Sequence, residues 1–249
     1  MRRHGWLLCL SLLLFILPGV DLLAQEPLSF SAQYSAQYNA SANGFAATAR
    51  RSLTLTANDS YELKNELTAG VSGVVLATLE EASQFHWDGS VLTPLAYSYL
   101  LTGIGGDSNT VNFDWATGIA LSTDRDENWQ IELSAGVIDK LSYQFLLRQQ
   151  LASTSQSTFD FEIIDGDEIA AQTYRIVGRE QLSTSLGTLS SVKLERVRAA
   201  DDERSTSIWL ATEWDFILAR LEQVSSSGLT IELDLERASI GSRQVQGLP

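Results

Sequence analysis

Apolar and polar residues alternate one by one through most of this chain. Phe30, Ala32, Tyr34, Ala36 and Tyr38 are separated by Ser31, Gln33, Ser35 and Gln37. A period of two belongs to a strand with one buried and one wet face, whereas a helix repeats its apolar stripe every three to four residues. The alternation returns at residues 53–56, 61–64, 97–99, 111–115 and 129–133, then at 159–163, 174–176, 192–195 and 229–233. Between these runs stand Asn58-Asp59, Asp88-Gly89, Thr117-Gly118, Asp165-Gly166, Asp201-Asp202 and Ser227-Gly228. Such residues accept left-handed backbone and turn a chain tightly. Many strands joined by short turns predict a mainly β chain, an antiparallel meander forming a curved sheet or open barrel.

One segment departs from the period. Residues 137–150 (VIDKLSYQFLLRQQ) put Val137, Leu141 and either Gln144 or Phe145 on one helical face, with Ile138 and Leu146 widening the stripe. Asp139 comes early and Arg148 late, which suits the helix dipole. One helix from Val137 to Gln150 is expected, packed on or in the sheet. A shorter helix or turn is expected at residues 212–218. The segments around Asp88-Gly89 and Asp165-Gly166 resemble each other, as a duplicated hairpin or two unrelated ones would.

The N-terminus is of another kind. Arg2 and Arg3 precede an apolar run from Leu7 to Leu17, Pro18-Gly19 follow, and Ala24 is a small residue at a cleavage position. This is the pattern of a secretory signal peptide, residues 1–24, and the run is too short to span a bilayer. The expectation is export to the periplasm as one β-rich domain, residues 25–249, with no membrane span once the leader is removed. The lone cysteine, Cys9, lies within the leader, preceded by bulky Leu8 and followed by most of the apolar run, so lipid attachment there is not expected.

Composition then excludes several chemistries. Without the leader's Arg2, Arg3 and Asp21, 15 of the 17 basic and 30 of the 31 acidic residues remain. A charge of −15 repels phosphate backbones and anionic headgroups, so nucleic acid is not an expected partner. The mature chain has no cysteine, hence no disulfide, thiolate nucleophile or Cys-ligated metal. Its one histidine, His86, stands between Phe85 and Trp87 and leaves no pair for a zinc site. The acid clusters at 124–127, 165–168 and 201–203 fall in turns. The first lacks the glycine and terminal glutamate of a calcium loop, with Trp129 and Ala135 at those positions. Gly103, Gly105 and Gly106 lack the Lys-Ser/Thr and helix of a phosphate loop. No cofactor, metal or catalytic set is expected.

Aromatic residues are the more informative group. Tyr34, Tyr97, Tyr99, Trp115 and Trp129 lie on or beside alternating runs. They fit either a packed core or an apolar cavity in a curved sheet, and period two does not separate the two.

Several short pieces occur in a fixed order. They are Asp88-Gly89 with Leu92-Thr93-Pro94-Leu95-Ala96-Tyr97, Val111-Asn112-Phe113-Asp114-Trp115, Asp139-Lys140-Leu141-Ser142 with Leu147-Arg148, Tyr174-Arg175-Ile176-Val177-Gly178, Leu186-Gly187-Thr188-Leu189 and Trp209-Leu210-Ala211. In this the chain, from about Phe30 to Leu233, resembles the exported Gram-negative family catalogued as domain of unknown function 3108. It departs where Leu218-Ala219-Arg220 stand in place of a proline. The resemblance implies a periplasmic, mostly antiparallel β protein and no assigned reaction. By looser analogy it implies the curved sheet around a helix of envelope lipoprotein carriers. Three readings stand open: a carrier for a lipid or other apolar envelope ligand, an assembly factor pairing with an envelope protein, and a hydrolase using Asp114 with Asp139 or Glu213.

Overall fold

The computed structural model describes residues 33–199, 201–225 and 228–248. The leader, Phe30, Ala32 and Ser227 lie outside the described residues. The chain first lays down eight strands: β1 (Tyr34–Ala42), β2 (Phe45–Leu55), β3 (Tyr61–Val71), β4 (Val74–Trp87), β5 (Leu92–Gly103), β6 (Asp107–Asp114), β7 (Ile119–Asp124) and β8 (Glu127–Glu132). Helix α1 (Tyr143–Ser153) follows. The remaining strands are β9 (Thr158–Asp165), β10 (Glu168–Thr184), β11 (Gly187–Arg196), β12 (Ser205–Ala211), β13 (Ile217–Val224), β14 (Thr230–Ile240) and β15 (Arg243–Gln244).

All fifteen strands form one antiparallel sheet in the order β8-β7-β6-β5-β4-β3-β2-β1-β14-β13-β12-β11-β10-β9, with β15 on β14. It is a meander, as the alternation and turn residues predict. Its centre is the pairing of the first strand with a late one, Tyr34 opposite Ile240 and Ala36 opposite Ala238. The sheet does not close: β8 and β9 are its two ends. The β9 edge is covered by the segment before α1, where Ile138 bridges Ile163 in parallel. Its N–H reaches Glu162 O at 2.9 Å, and its carbonyl accepts Ile164 N–H at 3.0 Å.

Period two sets which side chains share a face. Tyr34, Ala36 and Tyr38 are buried, as are Leu53, Arg51 and Ala49 directly opposite them on β2. Leu63 on β3, Phe85 on β4 and Tyr97 on β5 continue this inner face.

The helix lies against that concave side, and it starts later than the periodicity predicts. Ile138 is β-branched and is drawn into strand-like pairing with Ile163, and the N–H of Val137 turns back to Ser134 O, so neither is helical. Residues 143–152 contain no β-branched residue, glycine or proline, and these form the helix. Asp139 acts ahead of it. Its Oδ1 accepts the N–H groups of Leu141 and Ser142 at 2.8 and 2.7 Å, and Ser83 Oγ donates to its Oδ2 at 2.7 Å. Arg148 is not at a dipole-favoured end; it is buried in mid-helix. Phe145 meets the rings of Phe85, Trp87 and Tyr61 at 4.9, 5.4 and 5.9 Å. Tyr143 stacks on Tyr174 at 4.9 Å and meets Phe161 at 5.7 Å. The helix thus ties the β3–β4 wall to the β9–β10 wall. Residues 212–216 are a turn, with Asp215 and Phe216 left-handed at φ 51° and 52°.

Candidate functional site

Above the start of α1 the two walls of the curl face each other without filling the space. A polar mouth of about 360 Å³ opens there. Glu81, Tyr97, Tyr99, Asp107, Asn109 and Asp124 form one wall, and Gln172, Tyr174, Arg196, Arg198, Arg204 and Thr206 form the other. Lys140, Tyr143 and Gln144 form its floor. The walls therefore carry opposite charge. Lys140 pairs with Asp165 at 2.5 Å, Arg125 with Asp107 at 2.8 Å, and Asp202 with Arg204 at 2.6 Å.

Asn109 stands out within this mouth. It sits on β6 in phase with buried Val111 and Phe113 and is only 6% exposed. Neither its amide oxygen nor its amide nitrogen has a hydrogen-bond partner. Buried polar groups are nearly always paired, so an orphan amide facing a cavity marks a place for a ligand group or water. Across the strand, Tyr97 Oη donates to Glu81 at 2.9 Å, and Asn65 donates to the same carboxylate at 2.9 Å. Burial pushes the Glu81 carboxyl up from its usual range despite these two bonds. Burial, and then the Glu81 charge, push the Tyr99 phenol up to about 12.

The mouth continues inward. Tyr143, Gln144 and Gln223 line both it and a second chamber of about 110 Å³. Apolar side chains from both walls surround this chamber: Leu67 and Leu79 on one, Leu218, Leu221, Ile231 and Leu233 on the other. Leu67 and Leu79 are paired across β3 and β4 and remain half-buried. At its deep end Arg51, Gln144 and Leu218 also line a small void of about 10 Å³, shared with Tyr34 and Arg148. Polar mouth, apolar chamber and cationic end succeed one another along one path.

Of the aromatic residues expected to face a ligand, Tyr97 and Tyr99 line the mouth and Tyr34 lines the deep void. Trp115 does not join them. It sits in the β6–β7 turn at the other end of the strands, stacked on Phe113, with its Nε1 donating to Pro94 O at 2.7 Å. Trp129 packs against the core from β8, opposite Ser122, and lines none of these three cavities. Arg51 and Asn109 are residues the sequence reading passes over, and it gives Arg148 only a place late in the helix. Arg51 carried a usable signal, since it falls on the apolar phase set by Leu53. The acids of the hydrolase reading are dispersed. Asp114 is exposed and accepts the N–H groups of Ala116 and Thr117, Asp139 is fully buried ahead of α1, and Glu213 is exposed on the β12–β13 turn.

Exposed apolar side chains gather on hairpin tips at the mouth end. Phe45, Val71, Val74 and Ile104 are 51%, 45%, 61% and 72% exposed. They lie next to the turns after β1, β3 and β5, and no charged residue occurs at positions 40–49, 67–79 or 92–106.

No curated protein matches the sequence. A β-barrel-like protein of domain of unknown function DUF1849 from Brucella abortus has a similar structure. Its TM-score is 0.54 at 8% identity, over 85% of this chain and 99% of that one, a likeness of fold alone. A Bacteroides fragilis protein described as exported, with a YmcC-like fold, aligns at TM-score 0.34 and 12% identity, over 83% of this chain and 95% of that one. That score adds nothing to the fold assignment. The pattern of the protein family of unknown function DUF3108 matches residues 33–234, which is most of the chain, and the protein belongs to that family.

Proposed function

We propose that this protein is an exported binding or carrier module that holds an apolar ligand in the chamber between the walls of its open barrel. The observation that carries the reading is the chamber itself: Leu67, Leu79, Leu221, Ile231 and Leu233 left half-buried beneath a polar mouth that contains an orphaned buried amide. Ligand sites are concave and mostly apolar, with a few placed polar groups, and they favour the mouths of β-barrels. A periplasmic location is supported by the leader-like residues 1–24. Native mass spectrometry of protein purified under mild conditions, followed by organic extraction, tests the reading. It expects a one-to-one apolar adduct. Bare protein that also takes up no apolar probe after delipidation contradicts it.

A second reading, an assembly factor working through protein contacts, is favoured by the charge-free apolar hairpin tips. A specific crosslink from position 74 or 104 to one envelope protein supports it. Substitution of Val74 and Ile104 by Ser with no loss of any such crosslink contradicts it.

A further inference from the structure

The deep end of the chamber carries a charge imbalance. The chain has 31 acidic and only 17 basic residues, yet two of its arginines are inside the barrel. Arg51 is 6% exposed and Arg148 is 4% exposed. Among the described residues no carboxylate comes within 4 Å of either guanidinium. Arg51 donates through Nε to Tyr34 Oη at 2.8 Å. Arg148 lies over the Tyr34 ring at 4.7 Å and donates through Nε to Asp215 O at 3.0 Å. Its Nη2 is buried without a partner. The acids that act on these arginines from farther off are already engaged: Glu81 by Asn65 and Tyr97, Asp215 by Arg243 at 3.6 Å. Buried charges are ordinarily paired, because an unpaired one loses its hydration and gains nothing. Here the void lined by Tyr34, Arg51, Gln144 and Arg148 stands where the partner would sit.

We infer that the chamber takes an amphiphile ending in a carboxylate, bound head inward, with the carboxylate between Arg51 and Arg148 and the apolar portion among Leu67, Leu79, Leu221 and Leu233. The inference rests on the chamber being a ligand site and adds the chemical class of the ligand. The void of about 10 Å³ is at the lower limit for one water, so one carboxylate oxygen enters it and the second stays in the chamber, which Arg51 also lines. Two guanidiniums and the Tyr34 hydroxyl then supply charge-assisted hydrogen bonds to that oxygen and its twin. The chamber above, at about 110 Å³, is somewhat smaller than the ~150 Å³ cavity known to hold benzene. It encloses a short alkyl segment or one ring, and any longer tail emerges between the walls of the mouth.

Isothermal titration of delipidated full-length mature protein with octanoate, octan-1-ol and acetate tests this. Octanoate is expected to bind one to one, and octanol and acetate at least tenfold more weakly. Arg51→Met is expected to lower octanoate affinity at least tenfold, to the level of octanol. Arg51→Lys is expected to recover part of the loss. A cooperative urea transition shows that the variant is folded; if Arg51→Met does not fold, the three ligands on the parent protein and on Arg51→Lys decide alone. Octanol binding as tightly as octanoate to the parent overturns the carboxylate inference and leaves an apolar chamber. Acetate binding as tightly as octanoate overturns the amphiphile. Failure of both octanoate and octanol to bind overturns the chamber as a ligand site, and the proposed function with it.

Discussion

Glu81 and Asp139 are carboxyl groups that folding takes out of water, and burial holds both above the usual carboxylate range. The folded protein therefore binds these protons more tightly than the unfolded chain does. The stability this confers is complete below the ordinary values, about 4.3 for a glutamate and about 3.9 for an aspartate, and is lost as pH rises through the raised folded values. Glu81→Gln removes the cost of burying charge while leaving the amide of Asn65 and the hydroxyl of Tyr97 a partner. At neutral pH the variant should be at least as stable as the parent. As pH falls toward 4 the parent should gain on it, which urea midpoints of both proteins across that range will show. None of this was legible in the sequence. Glu81 and Asn109 are ordinary polar letters, and only their phase with Phe85 and Val111 on a strand places them inside. Arg51, in phase with Leu53 on β2, is placed inside in the same way.

Helix α1 shows where local pattern and tertiary pairing compete. The apolar spacing of residues 137–150 is helical throughout, yet Val137 closes a turn onto Ser134, Ile138 goes to the β9 edge and Asp139 turns the chain before Tyr143. Covering a strand edge satisfies backbone groups that a longer helix would leave unpaired on β9, and spacing alone carries no trace of that partner. What spacing does give is the face: Phe145 is 1% exposed among three aromatic rings. Phe145→Ala should cost about 3–5 kcal/mol, the range for deleting a buried ring. A shift in urea midpoint corresponding to less than about 1 kcal/mol would mean that the helix is not anchored through this ring. Strand existence was legible at almost every alternating run. The order of the strands was not, because the pairing of Tyr34 with Ile240 joins the two ends of the chain and leaves no mark on either local pattern.

The molecule as a whole is two meanders joined at one seam. Strands β2 to β8 extend from one side of β1, and β13 to β9 extend from the far side of β14. The pairing of β1 with β14 joins them strand to strand. Deleting residues 230–249 removes that seam and with it buried Leu235, Ala238 and Ile240. It should abolish the cooperative urea transition, and a truncated chain that still unfolds cooperatively would contradict this architecture. The seam also sets the chamber, since Leu67 and Leu79 stand on one meander and Leu221 and Leu233 on the other. Alternation could not say whether Tyr34, Tyr97 and Tyr99 were packed or cavity-lining, because both uses put aromatic residues on the inner face.

That chamber is the central claim, and titration with the neutral apolar dye N-phenyl-1-naphthylamine tests it most directly when run on delipidated parent protein and on Leu79→Trp. The indole fills space the parent leaves open, so the urea midpoint should stay within about 1 kcal/mol of the parent's. The parent should bind one dye saturably and the variant at least tenfold more weakly. Equal binding by both proteins, or none by the parent, would contradict a ligand chamber at this place.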